Sequence, residues 1–248
     1  MLNKKIKYYI ILIGSIFLLW NIGAKLTSPI FIPDPFTVFD SFIKMALNGQ
    51  LWIAFIYSFT RITIASIISA VLAIFLGCLI KIYYPVNTLL SPIVNIMRFL
   101  PVTAFYPMLT IWFGIGEEMK IAFLFVATFV YMLPSVILAL NEVNKDVIEA
   151  ASVEGANKEQ LIHKIILPIA TPSIAQSFAM MYGIGYTYIA VAEQTNAKYG
   201  IGYLIYTSSA RGLTYMTFVG ILTIILVGIL FDLFANKIIK SIFNWKFN

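Results

Sequence analysis

Residues 121–140 read IAFLFVATFVYMLPSVILAL, twenty consecutive positions without a charged side chain. A helix needs about 20 such residues to cross the hydrocarbon of a bilayer, and inside lipid the backbone must satisfy its own hydrogen bonds. The stretch is therefore read as a membrane-spanning helix. Outward from it, Ile62 to Ile80, Ile165 to Ala192 and Gly212 to Phe231 are equally free of charge. Tyr8 to Ala24 is a slightly shorter fifth candidate, with Tyr8, Tyr9 and Trp20 as interfacial anchors. The composition agrees: 60% of the 248 residues are hydrophobic and 11% charged, against roughly 45–50% and 25% in soluble domains.

Lys4, Lys5 and Lys7 precede the first apolar segment, as they would in a signal peptide, but no small-residue cleavage site follows it. A retained signal-anchor helix is expected. The stretch from Ile82 to Gly116 is interrupted only by Arg98. It is too long for one ordinary span and short for two. Pro92, Pro101 and Pro107 each remove a backbone donor, so one span with a broken, partly re-entrant outer end is expected. The sum is an all-α membrane protein of about six transmembrane helices with both termini on one side.

Basic residues orient it. Lys4, Lys5, Lys7, Lys81, Lys145, Lys158, Lys164, Lys237, Lys240 and Lys246 fall on one face, and Lys25, Lys44, Lys120, Lys198 and Arg211 on the other. The richer face, with both termini, is expected to be cytoplasmic. The net charge of +6 follows from this bias and forms no contiguous basic stripe, so no nucleic-acid partner is expected. Cys78, the single cysteine, has no internal disulfide partner and reads as a small apolar residue.

The polar segment Asn141 to Lys164 lies between the fourth and fifth spans. Asn144 can cap a helix, Asp146 and Glu149 suit its first turns, Gly155 can end it, and a second short helix can start near Lys158. Ala150, Ala151 and Gly155 have almost no side chain, so another surface can approach the backbone there, and Glu149 offers a carboxylate to a basic partner. Pro168 is expected in the first turn of the following span, where its missing N–H costs no hydrogen bond.

The positions Glu149, Ala150, Ala151, Gly155, Ile165, Leu167 and Pro168 reproduce, without a gap, the loop pattern of permeases of binding-protein-dependent ATP-binding-cassette (ABC) importers. Other stretches resemble the nitrate, sulfonate and taurine (bicarbonate) branch: IPDPFTV at 32–38, Ser58 and Arg61 in SFTRI, RFLP at 98–101, Pro107, WFGIG at 112–116, Ala192 with Glu193, and 200–204. Where many relatives have a tryptophan shortly before the Ala-Glu pair, this chain has Tyr186 or Tyr188. The resemblance covers nearly the whole chain. It implies the type I importer permease fold, a single transmembrane domain over 1–248 and a coupling loop at 141–165. It also implies extracytoplasmic loops at 27–53 and 193–211. The implied partners are a second permease copy in a homodimer, two ATP-binding-cassette ATPase subunits, an extracytoplasmic solute-binding protein and the lipid of a bacterial cytoplasmic membrane. The implied cargo is a small solute such as nitrate, a sulfonate, taurine or a vitamin precursor.

No P-loop pattern is present, so ATP hydrolysis is expected from a separate subunit. One histidine, His163, and one cysteine support neither a metal site nor a catalytic triad, and no cofactor is expected. Candidate pathway or gate residues are Arg98, the one charge in its apolar stretch; Tyr182 and Tyr186, four apart on one helix face beside Gly183 and Gly185; and Glu193 at the end of the fifth span. Packing readings stand beside these: Arg98 snorkelling to headgroups, the tyrosines in a helix seam, Arg61 as a headgroup or helix-pairing residue. The alternative function, a stand-alone secondary transporter or channel, needs coupling carboxylates inside the membrane. Asp232, near the cytoplasmic end of the last span, is poor support for it.

Overall fold

The computed structural model describes residues 2–247, and every regular element among them is helical. The first helix, α1 (Leu2–Leu26), leads to a turn held by the Trp20 indole, which donates to the Pro33 carbonyl at 3.0 Å. Asp34 then caps α2 (Pro35–Leu47), its carboxylate accepting the Thr37 N–H at 3.1 Å. Pro35 occupies the first turn, where a helix needs no donor. This explains the IPDPFTV stretch as a helix start.

A long helix α3 (Gln50–Ile82) precedes the broken segment, which comprises α4 (Tyr84–Met97), a 3₁₀ turn (Val102–Phe105) and α5 (Tyr106–Phe113). Next come α6 (Glu117–Asn141), α7 (Lys145–Val153), α8 (Lys158–Gln160), a π-helical stretch (Leu161–Ile166) and α9 (Leu167–Ala192). The described chain ends with α10 (Ile201–Ala210), α11 (Thr214–Ile242) and α12 (Asn244–Phe247).

Among the described residues, five helical runs are long and apolar enough to cross a membrane: Lys7–Leu26, Gln50–Ile82, Glu117–Asn141, Lys158–Ala192 and Thr214–Ile242. The pair Tyr84–Met97 and Val102–Phe113, bent by 100°, makes a sixth when counted as one broken span. The three prolines expected to break it act differently. Pro92 is tolerated inside α4, Pro107 starts α5, and Pro101 stands at the break, as N-cap of the 3₁₀ turn. The stretches expected as outer loops, 27–53 and 193–211, are more ordered than the word loop implies, since they contain α2 and α10.

Two compact units divide the chain. One consists of Met1–Ser58 with Glu193–Leu226, and its core is Val38, Met45, Leu51 and Val219, with Trp20, Phe42 and Phe218 packed around it. The other consists of Phe59–Ala192 with Val227–Asn248. Here α6 packs lengthwise on α9, burying Met132, Val136, Leu140, Ile162, Ile166 and Ile174. Glycines set the helix separations in this unit. A Cβ on Gly77 of α3 would stand 2.8 Å from Val136 Cγ1 of α6, and one on Gly185 of α9 would stand 2.9 Å from Ile62 Cγ2 of α3. This is the close approach that small residues give membrane helices.

A charged cluster ties α3 to the start of α6 in the same unit. Arg61, 3% exposed, donates from Nε and Nη2 to the two oxygens of Glu117 at 2.6 and 2.8 Å. The arginine is thus a helix-pairing residue. Lys120, counted above with the outer basic residues, is buried. Its ammonium donates to the Gly116 carbonyl at 3.1 Å and lies 3.4 Å from Glu117. Glu117 is itself partly exposed, and hydrogen bonds to charged groups contribute about 1.5–3 kcal/mol each. Glu117→Gln should therefore lower stability by roughly 1–3 kcal/mol, read as an earlier thermal unfolding midpoint in detergent. An unchanged midpoint would show that the two cations need no counter-charge.

Candidate functional site

The segment between α6 and α9 is built from local rules. The Asn144 side chain accepts the Asp146 N–H at 2.9 Å and opens α7. At the far end, the Ala156 N–H reaches the Ala151 carbonyl at 3.0 Å and the Gly155 N–H reaches Ser152 at 3.1 Å. That is a Schellman closure, and Gly155 at φ +91° takes its left-handed position. Asn157 and Gln160 then form a reciprocal capping box, both bonds at 2.9 Å.

One face of this segment is anchored and the other is open. Val143, Ile162 and Ile166 are buried in the core beneath it, with Ile148 and Leu167 packed partly against them. No residue of α7 is buried. Glu149, Ala150 and Gly155 are exposed, Ala151 half-buried, and Val153 is 89% exposed. A Cβ built on Gly155 meets nothing within 4 Å. The seven motif positions thus divide. Glu149, Ala150, Ala151 and Gly155 form a small-residue surface with an apolar tip at Val153, while half-buried Ile165 and Leu167 belong to the run that enters the membrane.

Pro168 departs from expectation. It does not start a helix, because α8, the π-helical stretch and α9 form one continuous run, Lys158–Ala192, and Pro168 lies ten positions into it. A proline inside a helix normally clashes with the carbonyl four residues back. Here the preceding turn is widened, with the Leu167 N–H donating to Ile162, five residues earlier. The π turn makes room for the ring.

Of the pathway candidates, Tyr182 and Tyr186 meet edge to face, with ring centroids 5.8 Å apart. Arg98 is exposed at the C-terminal end of α4, beside the break, and its guanidinium lies over the Phe99 ring at 5.0 Å. It has no carboxylate partner among the described residues. Tyr182 and Tyr186 are each 2% exposed within their unit. The Tyr182 hydroxyl pairs with Thr63 at 2.7 Å and its ring stacks on Phe231 at 3.9 Å. The Tyr186 hydroxyl is buried without a hydrogen-bond partner among the described residues.

Glu193 belongs to the other unit and is fully buried. Its carboxylate accepts the Ser58 hydroxyl at 2.8 and 3.0 Å and the backbone N–H groups of Gly202 and Tyr203 at 2.8 and 3.4 Å. Ser58 in turn accepts the Ile201 N–H at 2.8 Å. The carboxylate therefore sits at the N-terminus of α10, where unpaired amides and the helix dipole favour an anion. Gly200, at φ +142°, must be glycine, since a Cβ there would lie 2.1 Å from Glu193 Oε2. Sequence reasoning missed this lock, as it did the Arg61–Glu117 pair. The one signal available was that Ser58, Glu193 and 200–204 all lie in the family-like stretches.

Comparison with known proteins follows the same line. The family model for the binding-protein-dependent transport system inner membrane component matches residues 69–244. The taurine transport system permease protein TauC of Escherichia coli is 28% identical, across 91% of this chain and 84% of its own length. A putative aliphatic sulfonates transport permease protein, SsuC of Bacillus subtilis, is 26% identical across 96% and 87%. The riboflavin transport system permease protein RibX of Chloroflexus aurantiacus is 26% identical across 92% and 85%. Among solved structures, a chain of the MetNI methionine ABC transporter in an inward-facing conformation superposes with a TM-score of 0.66 at 22% identity, covering 76% of this chain and 94% of that one. A chain of a bacterial alginate ABC transporter gives 0.66 at 20% identity, covering 97% of each. These two share the fold.

Proposed function

Because the chain belongs to the binding-protein-dependent transport system inner membrane component family, we propose that it is the permease subunit of an ATP-driven importer of small solutes. The observation that carries this reading is the open small-residue face of α7 and its glycine turn. That face projects from a segment whose other side is packed into the core of the α6–α9 pair. Glu149, Ala150, Ala151 and Gly155 dock on a separate ATPase subunit, and Val153 supplies the apolar contact. The helical run through Ile165, Leu167 and Pro168 continues without interruption into the fifth span, so displacement of the docked face becomes rigid movement of α9.

In this reading two copies form the pathway, each with an ATPase beneath it, and an extracytoplasmic binding protein delivers the solute. The protein resides in a bacterial cytoplasmic membrane with its termini and α7 inside, and residues 1–248 work as one permease domain. The taurine and sulfonate relatives favour a cargo that bears a sulfonate group. Arg98, exposed in the broken third span without a counter-ion among the described residues, suits such a cargo, since an uncompensated charge at membrane depth is kept for function. Tyr186, with its unpaired buried hydroxyl, and Tyr182 meet solute when the spans move apart. Glu193 holds the outer gate closed through Ser58.

The test is affinity purification of the tagged chain in mild detergent, with mass spectrometry of what accompanies it. A P-loop ATPase recovered in about equal amount supports the proposal. A chain recovered alone that transports in liposomes without ATP refutes it. Arg98→Gln should weaken uptake of an anionic solute about tenfold, equivalent to 1.4 kcal/mol, while leaving ATPase recovery unchanged. Unaltered uptake kinetics would place the guanidinium at the headgroups instead.

A further inference from the structure

A cavity of about 230 Å³ opens where α3 ends, α4 begins and α6 ends, lined by Gly77, Ile80, Lys81, Asn87, Ser91, Ile137, Leu140 and Asn141. All the lining residues belong to one unit. Three residues separate the cavity's last lining residue, Asn141, from the start of α7. We propose that the cavity binds the phosphodiester of an anionic phospholipid headgroup.

The hydrogen-bond inventory of its polar walls carries the proposal. The Lys81 ammonium donates to Asn141 Oδ1 at 2.9 Å. An ammonium has three donors, so the others remain for a ligand, and with its oxygen engaged Asn141 presents its NH₂. Asn87 is in the same position, because its Oδ1 accepts the Ser91 hydroxyl. Three of the four polar side chains of the lining, Lys81, Asn87 and Asn141, are therefore left with donors to offer, while the Ser91 hydroxyl has spent its one donor on Asn87, and no carboxylate is among the lining residues. An oxyanion matches this set, whereas a cation or an uncharged apolar group does not.

The electrostatic surroundings point the same way. Lys145 lies within Coulombic reach of Lys81, and Lys158 stands over the Tyr83 ring at 5.8 Å, at the same corner of the fold. Glu142, next to Asn141 in the chain, is exposed and outside the cavity lining. Lys81 and Asn141 stand at the ends of two membrane-crossing runs, which is the depth of the lipid phosphates. Basic pockets between helices at that depth recognise lipid headgroups. The inference uses only this geometry and stands or falls separately from the transport reading. With that reading, occupancy would pin the helix ends from which the docking segment departs.

The test uses the full-length protein, purified and delipidated in mild detergent, with thermal unfolding read during titration with phosphatidylglycerol, phosphatidylcholine or soluble glycerol phosphate. Phosphatidylglycerol is expected to raise the midpoint by several degrees and phosphatidylcholine to leave it in place. Lys81→Gln and Asn87→Leu should each abolish the difference between the two lipids, and Lys25→Gln, far from the cavity in sequence and exposed on α1, should preserve it. A full shift with glycerol phosphate alone keeps the oxyanion site and gives it a soluble ligand. Equal shifts with both lipids, no shift with any probe, or an undiminished phosphatidylglycerol shift in Lys81→Gln and Asn87→Leu would overturn the site.

Discussion

Gly155→Trp should reduce recovery of the ATPase partner at least about tenfold while the variant reaches the membrane in ordinary amounts. A side chain leaves Gly155 into open space within its unit, because nothing lies within 4 Å of the position where a Cβ would stand. In the proposed docked complex an indole has no room, since a surface formed by Ala150, Ala151 and Gly155 would admit a partner only by being nearly flat. A tenfold loss corresponds to about 1.4 kcal/mol, a small fraction of what excluding one indole from a packed interface costs. Gly155 has φ +91°, so any side chain there adds backbone strain of roughly 1–2 kcal/mol. Gly155→Ala carries that strain without the bulk. Its ATPase recovery should stay close to that of the unsubstituted protein, and an equal loss in both variants would mean that the turn matters and the contact does not.

Glu193→Ala is expected to have the largest effect on stability. It leaves the Ser58 hydroxyl and the Gly202 N–H without their buried acceptor, and bonds to a charged group contribute about 1.5–3 kcal/mol each. A loss of roughly 3–5 kcal/mol should follow, seen as a much lower unfolding midpoint and poor recovery from the membrane. Glu193→Gln keeps the shape and one acceptor oxygen, and should fall between the two. If both variants unfolded like the original protein, the carboxylate would hold nothing together and a purely mechanistic role would remain for it.

The membrane class, the number of spans and the local helical form of the segment between α6 and α9 could all be read from the residues in order, because each depends on neighbours within about twenty positions. Charge-free length decides a span, and the Asn144 cap, the Gly155 turn and the motif that follows them are local hydrogen-bond patterns. The prolines of 92–107 announced a break for the same reason, since each acts on its own turn.

What the tertiary structure decided are the contacts between residues far apart along the chain. Ser58 and Glu193 are separated by 135 positions, and Arg61 and Glu117 by 56. Nothing in the spacing of either residue names its partner, because a charge at a span end is equally stable facing headgroups or facing an opposite charge. Pro168 belongs to the same group. Its place inside a continuous helix depends on a widened turn whose position is set by burying Ile162 and Ile166 against α6, and only the packed helices select that register.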